Sequence, residues 1–219
     1  MKLVRVSSIF RKGLNEFKDF KIVICCGLDS NEKVLHGAWP GVFIEEKSKT
    51  PFLLKAGKKS MLCLSDDRDY ETTFGEHEIR PAELFTVGPD WIYQVSSCHQ
   101  YVNPTENTNE NSVKKVVKMS AVCVNSRHLT KSSLFLWCGL DARGDLVSGD
   151  WMGYRDDDGS IKPLVVSVGR YSTVDYGENF RKPTSLKSGK VGDIFTVSST
   201  NDHGDPDIYT YEIKKCTAL

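Results

Sequence analysis

Cys26-Gly27-Leu28-Asp29 and Cys138-Gly139-Leu140-Asp141 are the same four residues, 112 positions apart. Outward from them, Gly37-Ala38-Trp39-Pro40-Gly41 recurs as Gly149-Asp150-Trp151-Met152-Gly153, and Pro51-Phe52-Leu53-Leu54 as Pro163-Leu164-Val165-Val166, both at that offset. A period of 112 is too long for a solenoid unit, so the chain is read as two copies of one domain. The opening of each copy agrees as well, with Arg5-Val6-Ser7-Ser8-Ile9 lying over Lys118-Met119-Ser120-Ala121-Val122.

Further along, the match requires gaps. Asp69-Tyr70-x-x-x-Phe74 pairs with Asp175-Tyr176-x-x-x-Phe180 at offset 106, which gives the first copy six extra residues around Ala56–Arg68. Phe85-Thr86-Val87 pairs with Phe195-Thr196-Val197 at offset 110, and Ile92-Tyr93 with Ile208-Tyr209 at offset 116. On this alignment the second copy gains four residues between Phe180 and Phe195, and six between Phe195 and Ile208. The joint is Asn103-Pro-Thr-Glu-Asn-Thr-Asn-Glu-Asn-Ser112, which is polar and lacks apolar periodicity. The expected layout is therefore domain 1–103, linker 104–112 and domain 113–219.

Each copy is a series of short β-branched or aromatic runs bounded by Gly, Asp and Asn clusters, the pattern of strands joined by tight turns. Seven strands are expected near 2–9, 20–28, 33–39, 51–55, 60–64, 83–87 and 91–97. Seven more are expected near 115–124, 133–141, 145–151, 162–168, 170–174, 193–198 and 207–213. Asp69-Tyr70 and Asp175-Tyr176 are read as short helical turns with Asp as N-cap, because residues four apart share a helix face. No run of 12 or more residues has helical period. The fold class is thus all-β, two tandem copies of a small β-barrel or β-sandwich.

The 219 residues carry 29 Lys+Arg and 29 Asp+Glu, with 39% apolar and 26% charged residues. That composition is globular. The charge balance disfavours a dedicated basic module for nucleic acid or membrane surface. Arg5 interrupts the apolar start that a signal peptide needs, and no apolar run approaches the roughly 20 residues of a membrane-spanning helix. The chain is expected to be cytoplasmic, with no membrane role. Its seven cysteines, 25, 26, 63, 98, 123, 138 and 216, form no CxxC pair and are read as reduced, mostly buried thiols.

No motif names a chemistry. Asp156-Asp157-Asp158-Gly159-Ser160 looks like part of a calcium loop, but counting from Asp156 the sixth position is Ile161 and the twelfth is Ser167, which breaks the pattern. It is read as a solvated hairpin tip. Asp29 and Asp141 follow strands and are read as turn caps. The histidines at 36, 77, 99, 128 and 203 make no metal-ligand spacing. No cofactor, metal or catalytic residue is assigned.

The candidate binding residues come from two features. Trp39 and Trp151, each held between glycines, are either a stacking floor for a ligand or a plug in the barrel end. The second copy's longer loops carry Arg181, Lys182, Lys187 and Lys190, then Asp202, His203 and Asp205, and extra loops on a rigid scaffold are where binding resides. The function expected is a non-catalytic, protein-binding role: adaptor, inhibitor or complex subunit. The alternatives are a nucleic-acid-binding small barrel and an enzyme with its site at the interdomain groove.

Overall fold

The computed structural model describes residues 1–13, 20–45, 48–64, 68–100, 113–126, 131–177, 181–200 and 206–219. The chain divides into two compact units, Met1–Tyr101 and Val102–Leu219. The expected linker, 104–112, lies outside the described residues. Strands account for the regular structure, and no helix forms among the described residues.

The first unit contains β1 (Lys2–Lys12), β2 (Lys21–Leu28), β3 (Gly37–Ile44), β4 (Lys49–Ala56), β5 (Ser60–Leu64), β6 (Asp69–Thr72), β7 (Leu84–Val87) and β8 (Trp91–Gln100). Each pairs antiparallel with the next, and β1 also pairs with β8, so the sheet closes. That pairing decides for a barrel over a sandwich, and closure leaves no free edge. Eight strands give an interior just wide enough for side chains to fill. Val4, Ile24, Phe52, Leu54, Leu62 and Phe74 fill this one.

The second unit contains β9 (Lys115–Asn125), β10 (Ser133–Leu140), β11 (Gly149–Asp157), β12 (Ser160–Val168), β13 (Thr173–Asp175), β14 (Arg181–Pro183), β15 (Ile194–Thr200) and β16 (Pro206–Ala218). It runs in the same order, with β9 paired to β16, and is nearly closed. The bridge between Thr184 and Val197 stands where Thr72 pairs with Val87 in the first unit. Both units also carry the same two bulges, at Ser7/Ser8 and Phe10/Lys12 in one and at Ile213/Lys215 and Thr210/Tyr211 in the other. Bulges bend long strands and sharpen their twist, which these strands need in order to belong to a barrel.

Strand register corrects the sequence alignment. Across the first barrel, Trp39 pairs with Leu54, Leu54 with Leu62, and Leu62 with Tyr70. Across the second, Trp151 pairs with Val166, Val166 with Val174, and Val174 with Lys182. The offset of 112 therefore runs unbroken through this region, and Tyr70 matches Lys182, not Tyr176. The hydrogen bonds agree: Thr72 Oγ1 donates to the Thr86 carbonyl at 2.6 Å and accepts from the Phe74 N–H. Thr184 does the same with Thr196 (2.8 Å) and Leu186.

Three expectations fall with this. Asp69-Tyr70 lies in β6 and Asp175 ends β13, so neither segment is a capped helical turn, because a closing barrel requires each segment to bond with its neighbours. Each unit has eight strands instead of seven, since β6 and β14 are too short to show as apolar runs. Residues 181–190 are also no insertion. From Leu186 to Phe195 the second copy is shorter than the first is from Phe74 to Phe85. The extra length lies in the last hairpin: Phe85 pairs with Tyr93 but Phe195 pairs with Tyr211, eight residues farther along the chain.

Strand bounds shift for a related reason. β3 and β11 begin at Gly37 and Gly149 instead of ending near the tryptophans, because both glycines hold φ +146° and turn the chain into the sheet.

Candidate functional site

Trp39 and Trp151 occupy equivalent places and spend their polar atom on their own chain. Trp39 Nε1–H donates to the Leu35 carbonyl at 2.7 Å, and Trp151 Nε1–H to the Val147 carbonyl at 2.7 Å. Each ring lies against a glycine of the neighbouring strand, Gly27 or Gly139, where an added Cβ would meet the indole at 2.8 Å. Trp39 is buried and Trp151 half-buried. This is the geometry of a packed plug with a satisfied N–H.

The turn beside each plug is held by a carboxylate. Asp29 Oδ1 accepts from the N–H of Asn31 (2.8 Å) and Lys33 (3.0 Å), and Asp141 Oδ1 from those of Arg143 (2.8 Å) and Asp145 (2.9 Å). The Asp145 and Arg143 N–H groups and the Arg143 charge hold the Asp141 carboxyl below its usual range, against the opposing effect of burial. A depressed carboxyl stabilises the fold above the ordinary carboxylate range and loses that contribution as pH falls through it. Acid titration of unfolding is therefore expected to weaken the second unit below about pH 4. Asp141→Asn, which keeps an acceptor oxygen, should flatten that fall. A mutant with an unchanged acid profile would contradict the assignment.

The basic residues do not form one face. Arg181 is exposed, its Nε donating to Asp175 Oδ2 at 3.1 Å. Lys187 and Lys190 lie at the Trp151 end, where the Lys187 carbonyl accepts from Leu146 N–H at 2.8 Å and Lys190 Nζ stands 4.0 Å from Asp145. Lys182 turns to the opposite mouth, with its Nζ 5.4 Å from the Tyr176 ring centre and 5.7 Å from that of Tyr209. Asp202, His203 and Asp205 lie outside the described residues.

That opposite mouth is where the two barrels differ most. In the first unit it is an open cavity of about 140 Å³, lined by Phe20, Phe43, Leu64, Tyr70, Trp91 and Tyr93, with Glu45, Thr50 and Arg68 also on its wall. Tyr70 and Trp91 pack with ring centres 5.1 Å apart. A wider, polar hollow of about 520 Å³ lies at the Trp39 end of the same unit, among Asp29, Lys33, His36, Ser60 and Glu76.

By register, the second unit places Ser132, Arg155, Asp157 and Lys162 where the first has Phe20, Phe43, Glu45 and Thr50. Likewise Tyr176, Lys182, Tyr209 and Tyr211 replace Leu64, Tyr70, Trp91 and Tyr93. A charged network results. Arg155 Nη2 and Nε reach Asp157 Oδ2 at 2.7 and 2.9 Å, and Ser132 Oγ–H donates to Asp157 Oδ1 at 2.8 Å. Lys162 Nζ stands 3.5 Å from the same carboxylate, and Arg155 Nη1 donates to the Tyr176 hydroxyl at 3.4 Å.

Electrostatics follow from burial. Desolvation raises the Tyr176 hydroxyl and lowers the Lys182 ammonium, which the Arg155 charge lowers further. Tyr209 is pushed up to about 12 by burial and then by Asp207. Burial opposes the Arg155 charge, but Tyr176 and Asp157 outweigh it and Arg155 is raised.

Of the residues at this mouth, the sequence singles out only Lys182 as a binding candidate. In the sequence Asp157 reads as part of a solvated tip, yet only Asp156, Asp158 and Gly159 make that turn. Asp156 Oδ1 accepts from Gly159 N–H at 2.8 Å, and Asp158 and Gly159 hold positive φ, 55° and 98°. Asp157 turns inward, its side chain 10% exposed. A signal existed at the first offset: Val42-Phe43-Ile44-Glu45 lies over Tyr154-Arg155-Asp156-Asp157. Arg155 stands where an inward Phe does, and Asp157, two residues on, shares its strand face.

All seven cysteines are free thiols. Cys25, Cys26, Cys63 and Cys138 are buried, whereas Cys123, expected inside an apolar run, is half-buried with Cys98 and Cys216. Burial raises the Cys26 and Cys138 thiols well above their ordinary value and takes Cys63 to about 11. No family model, no curated protein and no solved structure matches this chain.

Proposed function

We propose that this chain is a protein-binding protein without catalysis of its own, an adaptor, inhibitor or complex subunit, and that the first barrel's mouth takes one large apolar side chain of its partner. The observation that supports this is the cavity among Phe43, Leu64, Tyr70 and Trp91. Small-molecule sites enclose about 300–1,000 Å³. This cavity, at about 140 Å³, is close to the ~150 Å³ that accepts a single benzene ring. It suits an anchor residue better than a whole ligand, and buried anchors carry most of an interface's energy. The shared scaffold with a different mouth in each copy fits one fold adapted to two contacts. The free thiols suit the cytoplasmic location proposed for it.

The test is titration of the whole protein with N-acetyl-phenylalanine amide and N-acetyl-alanine amide, read by the Trp91 indole signal in NMR. The phenylalanine probe should bind at least about tenfold tighter, since burying a ring is worth about 1.5–3 kcal/mol. Thr50→Phe, which fills the cavity, should abolish the difference. Equal binding of the two probes overturns the proposal. Salt-sensitive binding of random oligonucleotides, with no response to either probe, would favour the nucleic-acid reading instead.

A further inference from the structure

We propose that the mouth of the second barrel binds a peptide C-terminus, with Lys182 receiving the terminal carboxylate and Asp207 accepting the N–H of the last residue. This rests on the reading of the chain as a protein-binding protein.

Two groups carry it. The half-buried Lys182 ammonium lies over the Tyr176 and Tyr209 rings and meets no hydrogen-bond or ion-pair acceptor among the described residues. Asp207 is 5% exposed, and its Oδ1 has no hydrogen-bond partner among the described residues. A buried carboxylate oxygen without a donor is costly, and such groups are rare enough to need a reason. The Tyr209 hydroxyl hydrogen-bonds the Asp207 carboxylate, leaving Oδ1 as its open acceptor, and the Asp207 charge acts on Lys182, which places donor and acceptor in one neighbourhood.

The scaffold requires neither group. The first barrel closes in the same register with Tyr70 at the Lys182 position. Asp207 pairs with Ser199 on the stretch of hairpin beyond Val197 and Tyr209, the last pair with a counterpart in the first unit. Both groups belong to what distinguishes the second copy.

Charge selects the ligand. Among the described residues, Arg155, Lys162 and Lys182 face Asp157 and Asp207, which leaves one positive charge in excess. An acylated amino-acid end carries one negative charge and completes it. A free amino acid is a zwitterion and leaves the excess unmatched. A phosphate offers no N–H to Asp207 and is repelled by it. A peptide C-terminus has a carboxylate and an N–H on the same Cα, which matches a cationic donor beside a buried acceptor.

The experiment uses the full chain and four probes: N-acetyl-Gly-Gly as free acid, the same peptide as C-terminal amide, N-acetyl-Gly-sarcosine, which lacks the terminal N–H, and glycine. The acid should bind at least about tenfold tighter than the amide, the sarcosine probe and glycine. Lys182→Met should reduce the acid's affinity to that of the amide. Equal binding of acid and amide overturns the proposal, as does a sarcosine probe that binds as well as the acid. Tighter binding of glycine would identify a free amino-acid site and equally overturn it. The probe comparisons decide on the unaltered protein, so a poorly folding Lys182 variant does not weaken the test. Because the phenylalanine probe reports on the first barrel alone, the two readings fail independently.

Discussion

Replacing Trp39 or Trp151 with alanine is expected to destabilise the corresponding barrel by about 3–5 kcal/mol. Three losses combine at one position. The ring vacates the space over Gly27 or Gly139, and that gap cannot collapse, because the glycine offers no side chain to fill it. The carbonyl of Leu35 or Val147 loses the indole donor. The buried apolar surface of the largest side chain is lost as well. Denaturant titration of each single mutant, followed by a signal from the unit concerned, measures the effect. Trp39 is the more deeply buried of the two and should show the larger loss. Mutants of unchanged stability that only lose a binding activity would show that the indoles are ligand floors and not plugs. Gly27→Ala is a useful companion, since its Cβ would meet the Trp39 ring at 2.8 Å and should disturb the same packing from the other side.

Asp157→Ala is expected to cost the second barrel a similar amount, about 3–5 kcal/mol, because it leaves Arg155 charged and buried without its partner. Arg155 is 8% exposed, and Asp157 also answers Ser132 and Lys162. Removing both charges should be far gentler. The double variant Arg155→Met with Asp157→Leu restores to this mouth the apolar character that Phe43 gives the first, and well-packed apolar replacements of buried ion pairs are often neutral or stabilising. A double-mutant cycle on denaturant unfolding reads both. If Asp157→Ala and the double variant destabilise alike, the cost lies in lost packing instead of an orphaned charge. The peptide-terminus proposal adds a condition: the double variant should fold and still prefer the N-acetyl-Gly-Gly acid over its amide, since it removes one positive and one negative charge and leaves Lys182 and Asp207 in place.

Length, duplication and strand content were all legible in the residues. The Cys-Gly-Leu-Asp pairs and the Gly-x-Trp-x-Gly pairs lie at a fixed offset because the structural demands at those positions are local and identical in both copies. An Asp must cap its own turn, a Gly must lie under an indole, and a Gly must hold a left-handed φ. Such demands are met by one residue type and therefore survive as recognisable letters. The Asp-Tyr match at offset 106 had the same appearance and was a coincidence of letters. Nothing in the sequence distinguished it from the others, because strand register is a relation between segments far apart in the chain.

The sequence by itself determined the two-copy organisation, the all-β class and the positions of the plugs and their capped turns, since all of these follow from periodicity and from residues acting on their own neighbours. Tertiary structure alone decided that the sheets curl into barrels, that Tyr70 answers to Lys182, and that Arg155, Asp157, Tyr176, Lys182, Tyr209 and Asp207 meet at one mouth. The physical reason is that barrel closure is set by hydrogen bonds between the first and last strands of each unit and by two bulges that tune their twist. Those contacts join residues roughly ninety positions apart, such as Val6 with Cys98 and Met119 with Cys216. Only when they form does it follow which side chains share a mouth and which face away.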